Sequence, residues 1–353
     1  MSTERQSRLP FLDISGRPYD AGQALGRFGA TAVHRHLRHS PAWMGVMRRR
    51  DDAKLTAMAA SVEARFPRYH AELRGLADGL ELPFDEVFAW NCRGDLWAMA
   101  PDGCTTVQLP GKSVRRIAHN EDGDPGLAEW CALARLAVAG GPAFTAFVYP
   151  GSLPGHTFAV TETGLVQTVN NIRALDGGGG VPRMVLTRAL LDSPDLDAAV
   201  STIRDLRPAG AFHVTLAQAG DERLLSVEFT ATHRSVTEIT APAVHTNHLV
   251  HPDLGSVPQI VTGSSRERQR RGEALVGSFA QGQGELDPMA ILWDSAVSEF
   301  PIYRTDPADP DVENTLASAM FRIDSRRVEW EVYDRPEPSA RFVIRDGLVP
   351  VAA

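Results

Sequence analysis

The chain has 353 residues, a formal net charge of -8 and 43% hydrophobic residues, enough apolar material for one large domain or two ordinary ones. No apolar run reaches the roughly 18 residues that a membrane span needs. The acidic balance, with no basic stripe of interleaved aromatics, argues against a nucleic-acid partner. Arg48-Arg49-Arg50 is the densest basic run, and Asp51-Asp52 follows at once, as on a solvated helix end. Three cysteines, Cys92, Cys104 and Cys131, make no disulfide framework and suit a reducing compartment. Met1 to Leu9 is polar and lacks a signal-peptide core, and Val351-Ala352-Ala353 is no peroxisomal address, so a cytoplasmic location is expected.

Residues 1–16 read as a leading strand or arm, and 18–38 as a helix with Ala21, Leu25 and Phe28 on one side. His34, His36 and His39 match no zinc-ligand spacing. From 53 to 80, Leu55, Met58, Val62, Phe66, Tyr69, Leu73, Leu76 and Leu80 follow in steps of three or four, the buried face of a helical segment. Pro67 interrupts it, so two helices or a kink are expected there. A further helix is expected from about Phe84 to Trp97.

After Asp102-Gly103-Cys104-Thr105-Thr106 the pattern changes to short strands: Thr105–Leu109, Val114–His119, Ala143–Tyr149, Phe158–Thr161 and Leu165–Asn170. Gly177 to Gly180 form a loop that lacks the Lys-Ser/Thr of a phosphate cradle, and Gly111-Lys112-Ser113 fails as a P-loop because Thr106 stands where its first glycine belongs. Residues 182–206 read as two helices split at Ser193-Pro194-Asp195. Strands return at Phe212–Gln218, Leu224–Thr230, Ser235–Ile239 and Val244–Asn247, then helices at 264–279 and 287–296, and a three-stranded meander from Leu316 to Val343. The count favours layered strands with helices outside.

A Gly-Cys bond at the border between helical and β-type sequence suggests a chain that cuts itself. An internal cysteine can attack the carbonyl before it, and glycine at 103 best tolerates the turn this requires. The exposed Cys104 then carries a thiol and an α-amine of reference pKa roughly 7.7–8.0, which can serve as the thiol's base. The bland alternative is a buried structural cysteine.

Several separated motifs carry a resemblance that covers most of the chain. They are Asp102-Gly103-Cys104-Thr105-Thr106, His119-Asn120-Glu121-Asp122, Gly164-Leu165 through Val169-Asn170, Gly180-Val181-Pro182-Arg183, His245-Thr246-Asn247-His248, and Ser264-Ser265 with Arg266 and Arg268. In this order and spacing they resemble the acyl-coenzyme A:isopenicillin N acyltransferase family of self-processing N-terminal nucleophile (Ntn) hydrolases.

The resemblance implies an α+β fold, a four-layer αββα sandwich with a helical N-terminal prosegment. It implies cleavage between Gly103 and Cys104 into pieces 1–103 and 104–353 that stay together as one body. Cys104 would form a thioester acyl-enzyme, Asp122 would hold the new N-terminal ammonium, and Asn247 would donate to the oxyanion. Asn170, Asn120 and His119 would be substrate or oxyanion neighbours, and Glu121 and Asp124 acidic neighbours for a cationic substrate. In the bile-salt-hydrolase and acid-ceramidase relatives an arginine stands three residues before the aspartate. Here that position is His119, whose charge could change near neutrality, so the arginine's substrate contact does not carry over.

The substrate is expected to be a small-molecule amide or amine, with no metal or bound cofactor and coenzyme A thioester only as an acyl donor. A homo-oligomer is compatible with this reading. Two alternatives stand beside it: a papain-like hydrolase pairing Cys104 with His213 or His245, and a non-catalytic binding protein on the same scaffold.

Overall fold

The computed structural model describes residues 9–99, 103–280, 286–297, 299–305, 312–345 and 347–351. Strand β1 (Phe11–Gly16) leads into helices α1 (Pro18–Arg35), α2 (Pro41–Met47), α3 (Ala53–Arg65), α4 (Pro67–Leu80), α5 (Phe84–Asn91) and the single turn α6 (Arg93–Leu96). Six strands follow: β2 (Gly103–Leu109), β3 (Arg115–Gly123), β4 (Ala132–Val138), β5 (Phe144–Val148), β6 (Phe158–Thr161) and β7 (Leu165–Asn171). Helices α7 (Arg183–Leu190) and α8 (Leu196–Asp205) precede β8 (Phe212–Gln218), β9 (Leu224–Phe229), β10 (Arg234–Glu238) and β11 (Ala243–His245). The chain ends with α9 (Gly263–Ala280), α10 (Pro288–Leu292), β12 (Asn314–Ile323), β13 (Val328–Tyr333) and β14 (Phe342–Ile344).

Local chemistry accounts for many of these boundaries. Pro67 occupies the first position of α4, where its missing N–H costs nothing, and so divides α3 from α4. The Asp52, Asp195 and Asp287 carboxylates accept backbone N–H bonds at the starts of α3, α8 and α10.

The strands form two sheets. One has the order β1-β4-β5-β6-β7-β8-β9-β10 and the other β11-β2-β3-β12-β13-β14. They face each other where β2 meets β7, and the Thr106 hydroxyl donates to Asn170 Oδ1 across the gap at 2.7 Å. Helices α1 and α8 lie on the eight-stranded sheet, and α9 and α10 lie on the six-stranded one. The result is the expected αββα sandwich.

The N-terminal segment is more than a helical cap. Its leading strand β1 pairs in parallel with β4, from Phe11 opposite Leu133 to Gly16 opposite Val138. The partner strand, Ala132-Leu133-Ala134-Arg135-Leu136-Ala137-Val138, is absent from the strands expected above. Five of its seven residues are alanine or leucine, so local strand preference is weak and the pairing with its neighbours decides. Helix α4 is tied to α7 by a buried ion pair, in which Arg188 donates from Nε to Glu72 Oε2 at 3.0 Å and from Nη2 to Oε1 at 2.8 Å. Arg188 also reaches Asp192 at 3.0 Å and lies over the rings of Tyr69 and Phe144.

Helices α1 and α4 pack backbone to backbone. A Cβ on Gly75 would overlap the Tyr19 carbonyl oxygen, and one on Gly22 would overlap that of Glu72. Gly75→Ala is therefore expected to cost about 1–3 kcal/mol through overpacking. In a chain of this size that lowers the melting temperature by about 1–4 °C. Gly179→Ala, at a position with nothing within 4 Å of the added carbon, should leave it unchanged. Thermal melting of the two variants checks this.

Candidate active site

Cys104 is the second residue of β2 and is buried. Asp102, the first residue of its motif, lies outside the described residues. The pleat of β2 sends alternate side chains to opposite faces. Cys104, Thr106 and Gln108 point into the gap between the sheets, whereas Gly103 and Thr105 face the α9–α10 layer, where Arg268 donates to the Thr105 hydroxyl at 2.8 Å. A strand position of this kind counts against a papain-like site, which places its cysteine at a helix start.

Strand β3 runs antiparallel beside β2, pairing Gly103 with Asp122, Cys104 with Glu121 and Thr106 with His119. Pairing and pleat together put Glu121 and His119 on the cysteine's face. The Cys104 thiol is 3.9 Å from Glu121 Oε2, which is 3.2 Å from His119 Nε2. His119 Nδ1 meets the Thr106 hydroxyl at 2.8 Å. Burial depresses the His119 pKa to about 3, so in the resting protein the ring is uncharged near neutrality.

The same pleat turns Asn120 away. Its amide donates to the Leu292 carbonyl at 2.7 Å and accepts from Ser318 Oγ at 2.6 Å, toward the outer helices. It is a structural residue of that layer and not the substrate neighbour expected. Asp122 also faces outward, beside Gly103. It accepts from Thr315 Oγ1 at 2.7 Å and lies 3.9 Å from Arg304, which in turn binds Glu313 at 2.9 Å. A Cβ on Gly103 would overlap Glu313 Oε2 and lie 3.1 Å from Arg304 Nη1. A side chain here would have to displace the Glu313 carboxylate.

Asn247, just past β11, reaches Cys104 with its side-chain oxygen. Oδ1 accepts from the Cys104 N–H at 3.0 Å and from Arg268 Nη2 at 2.8 Å, and Nδ2 donates to the Asn171 carbonyl at 3.1 Å. The donor aimed at Cys104 is Arg268 on α9, whose Nη1 binds the Cys104 carbonyl at 2.7 Å and whose Nε binds Ser264 Oγ at 3.1 Å. Burial lowers the Arg268 pKa from its ordinary value, while the nearby Asp122 and Glu313 raise it. In the sequence Arg268 is one of several arginines on a charged helix, and only its place near Ser264-Ser265 hints at a role.

Asn170 reaches Cys104 only through intermediates. Its Oδ1 accepts from Thr106 and faces His213 Nδ1 at 3.0 Å, and its Nδ2 donates to the His245 carbonyl at 3.2 Å. His213 and His245, the candidate partners of a papain-like cysteine, stack on each other at 3.5 Å, and His245 binds Glu228 at 2.7 Å. Of the three N-terminal histidines, His34 binds the Leu80 carbonyl and His36 binds Asp124, each in its own setting. A cleft of about 500 Å³ opens just beyond β3, lined by His36, His39, Trp97, Met99, Asp124 and Val312. No helix among the described residues is long and apolar enough to cross a membrane.

The beta-alanyl-dopamine/carcinine hydrolase of Drosophila melanogaster is 24% identical to the chain over 363 residues, covering 92% of each. Among solved structures, two mutant forms of the conjugated bile acid hydrolase from Clostridium perfringens align at 10% identity. They cover 69% of this chain and 92% of theirs, with TM-scores of 0.45 and 0.43. The model of the acyl-coenzyme A:6-aminopenicillanic acid acyl-transferase family matches residues 109–336, well over half of the sequence. The chain therefore belongs to the acyl-coenzyme A:6-aminopenicillanic acid acyl-transferase family, whose members act on amide substrates by acyl transfer or hydrolysis.

Proposed function

We propose that the chain cleaves itself between Gly103 and Cys104, and that Cys104, then N-terminal, attacks the acyl carbonyl of a small N-acyl amine. The thioester so formed is resolved by water, giving a hydrolase, or by a second amine, giving an acyltransferase. The observation that carries this reading is the hold on the Cys104 backbone. Its N–H is bound by Asn247 and its carbonyl by the buried Arg268, while the thiol points into the gap beside Glu121. A cysteine that merely fills a core needs no such fixing.

In the cleaved chain the α-nitrogen would lie at Asn247, with Asp122 across the ladder from the former Gly103 position. With a reference pKa of roughly 7.7–8.0, that amine can take the thiol proton and pass it to the leaving amine. Arg268, with Asn247 turned to present its Nδ2, supplies positive charge for the oxyanion. The pieces 1–103 and 104–353 stay together through the β1–β4 ladder and the Glu72–Arg188 pair.

For substrates we infer short-chain amides of the kind that the Drosophila relative's name gives, β-alanyl-dopamine and carcinine.

The purified wild type is expected to give two masses under denaturing conditions, split after Gly103, and Cys104→Ala a single one. One full-length mass from both proteins would sink self-processing. Wild type should release the free amine from β-alanyl-dopamine or carcinine, and adding an acceptor amine separates hydrolysis from transfer. Gly103→Ala is expected to slow cleavage by about 5- to 150-fold, the range that a cost of about 1–3 kcal/mol in the cleaving geometry gives at 1.36 kcal/mol per tenfold. The time course of the two fragments measures this.

A further inference from the structure

Self-cleavage sets a problem that the mature enzyme does not have. Before cleavage the Cys104 nitrogen is part of a peptide bond. It donates to Asn247 Oδ1 and has no basic lone pair, so the thiol proton needs another acceptor.

The hydrogen-bond directions in the gap identify one. The His245 carbonyl can only accept, so the Asn170 atom that faces it is Nδ2, and the opposite atom is the acceptor Oδ1. The single Thr106 hydroxyl proton must go to that Oδ1, at 2.7 Å. Thr106 Oγ1 can then only accept from His119, which fixes the imidazole proton on Nδ1, at 2.8 Å. His119 Nε2 is left facing Glu121 Oε2 at 3.2 Å. Two lone pairs cannot hold that contact, so one proton lies between them. It makes either a carboxylic acid on imidazole or a carboxylate on imidazolium, two forms of one bridge. Burial of His119 favours the first.

We propose that the His119–Glu121 pair is the base of the self-cleavage reaction, acting on Cys104 through Glu121 Oε2. The reading rests on the self-processing proposed above. The bridging proton moves fully onto His119 Nε2, and Glu121 Oε2 takes the proton from the Cys104 thiol, 3.9 Å away. The S–H bond breaks, an O–H bond forms, and the thiolate adds to the Gly103 carbonyl carbon. As the Gly103–Cys104 C–N bond breaks, the proton on Glu121 passes to the departing nitrogen and the bridge returns to its first form. Water then hydrolyses the thioester, giving the Gly103 carboxyl group and the Cys104 thiol. The new α-amine is the base for later turnovers, so the pair is needed most at the first reaction. Glu121 is the catalytic group of that step, and His119 is a positioning residue that acts through it.

The test follows cleavage of the full-length chain after cell-free synthesis, by denaturing mass spectrometry, in wild type, Glu121→Gln, His119→Asn and the double variant. His119→Asn keeps a side-chain N–H for Thr106 and removes Nε2 with the far side of the ring. General acid–base groups contribute about 10²–10⁴ in rate, so each single variant is expected to cleave about 100-fold more slowly or worse. The double variant should be no more than about threefold slower than the slower single one, because residues that act as one unit do not add. Turnover per cleaved chain should fall by a smaller factor than cleavage does. Melting of each variant on the Cys104→Ala background reports folding. Cleavage of His119→Asn within threefold of wild type overturns the proposal, even where Glu121→Gln fails to fold. Multiplying effects in the double variant also overturn it. An uncleaved wild type instead sinks the self-processing reading, which keeps the two failures apart.

Discussion

One buried guanidinium holds strand β2 in place. Arg268 gives its donors to the Cys104 carbonyl, the Thr105 hydroxyl, Asn247 Oδ1 and Ser264 Oγ. A buried charge is costly unless its hydrogen bonds are satisfied, so these acceptors must stay where they are. This one side chain therefore joins α9, strand β2 and the segment after β11. Asn247 is fixed twice, by Arg268 at its oxygen and by Ser265 Oγ at its backbone N–H. The Cys104 backbone is thereby held at both its N–H and its carbonyl.

The second constraint is that the gap between the sheets is polar around the cysteine. Thr106, His119, Glu121, Asn170, His213, Ser226 and His251 form one hydrogen-bonded chain among apolar strands. Buried polar groups must be paired, and here the pairing also sets direction, because a backbone carbonyl at one point fixes the donors and acceptors that follow. On the other face of β2 and β3, Asp122, Arg304, Glu313 and Arg268 surround the Gly103 side of the strand with paired charge. The peptide bond between Gly103 and Cys104 thus lies between a hydrogen-bonded neutral seam and a charged cluster. A side chain at position 103 would push against the Glu313 carboxylate on the charged side.

The N-terminal segment shares this architecture. Its strand completes the edge of the eight-stranded sheet, and α4 supplies Glu72 to the buried Arg188 of α7. Removing either partner would strand a charge in the core. A cut between positions 103 and 104 leaves these contacts intact, because none of them depends on that peptide bond.

Periodicity and punctuation in the sequence determined most of the elements. The apolar steps from Leu55 to Leu80, the break at Pro67 and the strands Phe158–Thr161 and Phe212–Gln218 all reflect local preference, which acts over a few residues. The motif around Cys104 falls on strand β2, and the order of motifs marked the family. Strand β4 was not legible, because alanine and leucine have no strong preference and the pairing with β1 and β5 decides. The roles of neighbouring residues depended on the pleat. His119, Asn120, Glu121 and Asp122 are consecutive in sequence, yet β-strand alternation sends the first and third to the thiol and the second and fourth to the outer layer. Arg268, distant in sequence and set among other arginines, reaches Cys104 only because α9 packs over β2. Sequence fixes which residues can do the chemistry, and tertiary packing decides which of them face the same gap, because a side chain's direction is set by the strand or helix that carries it.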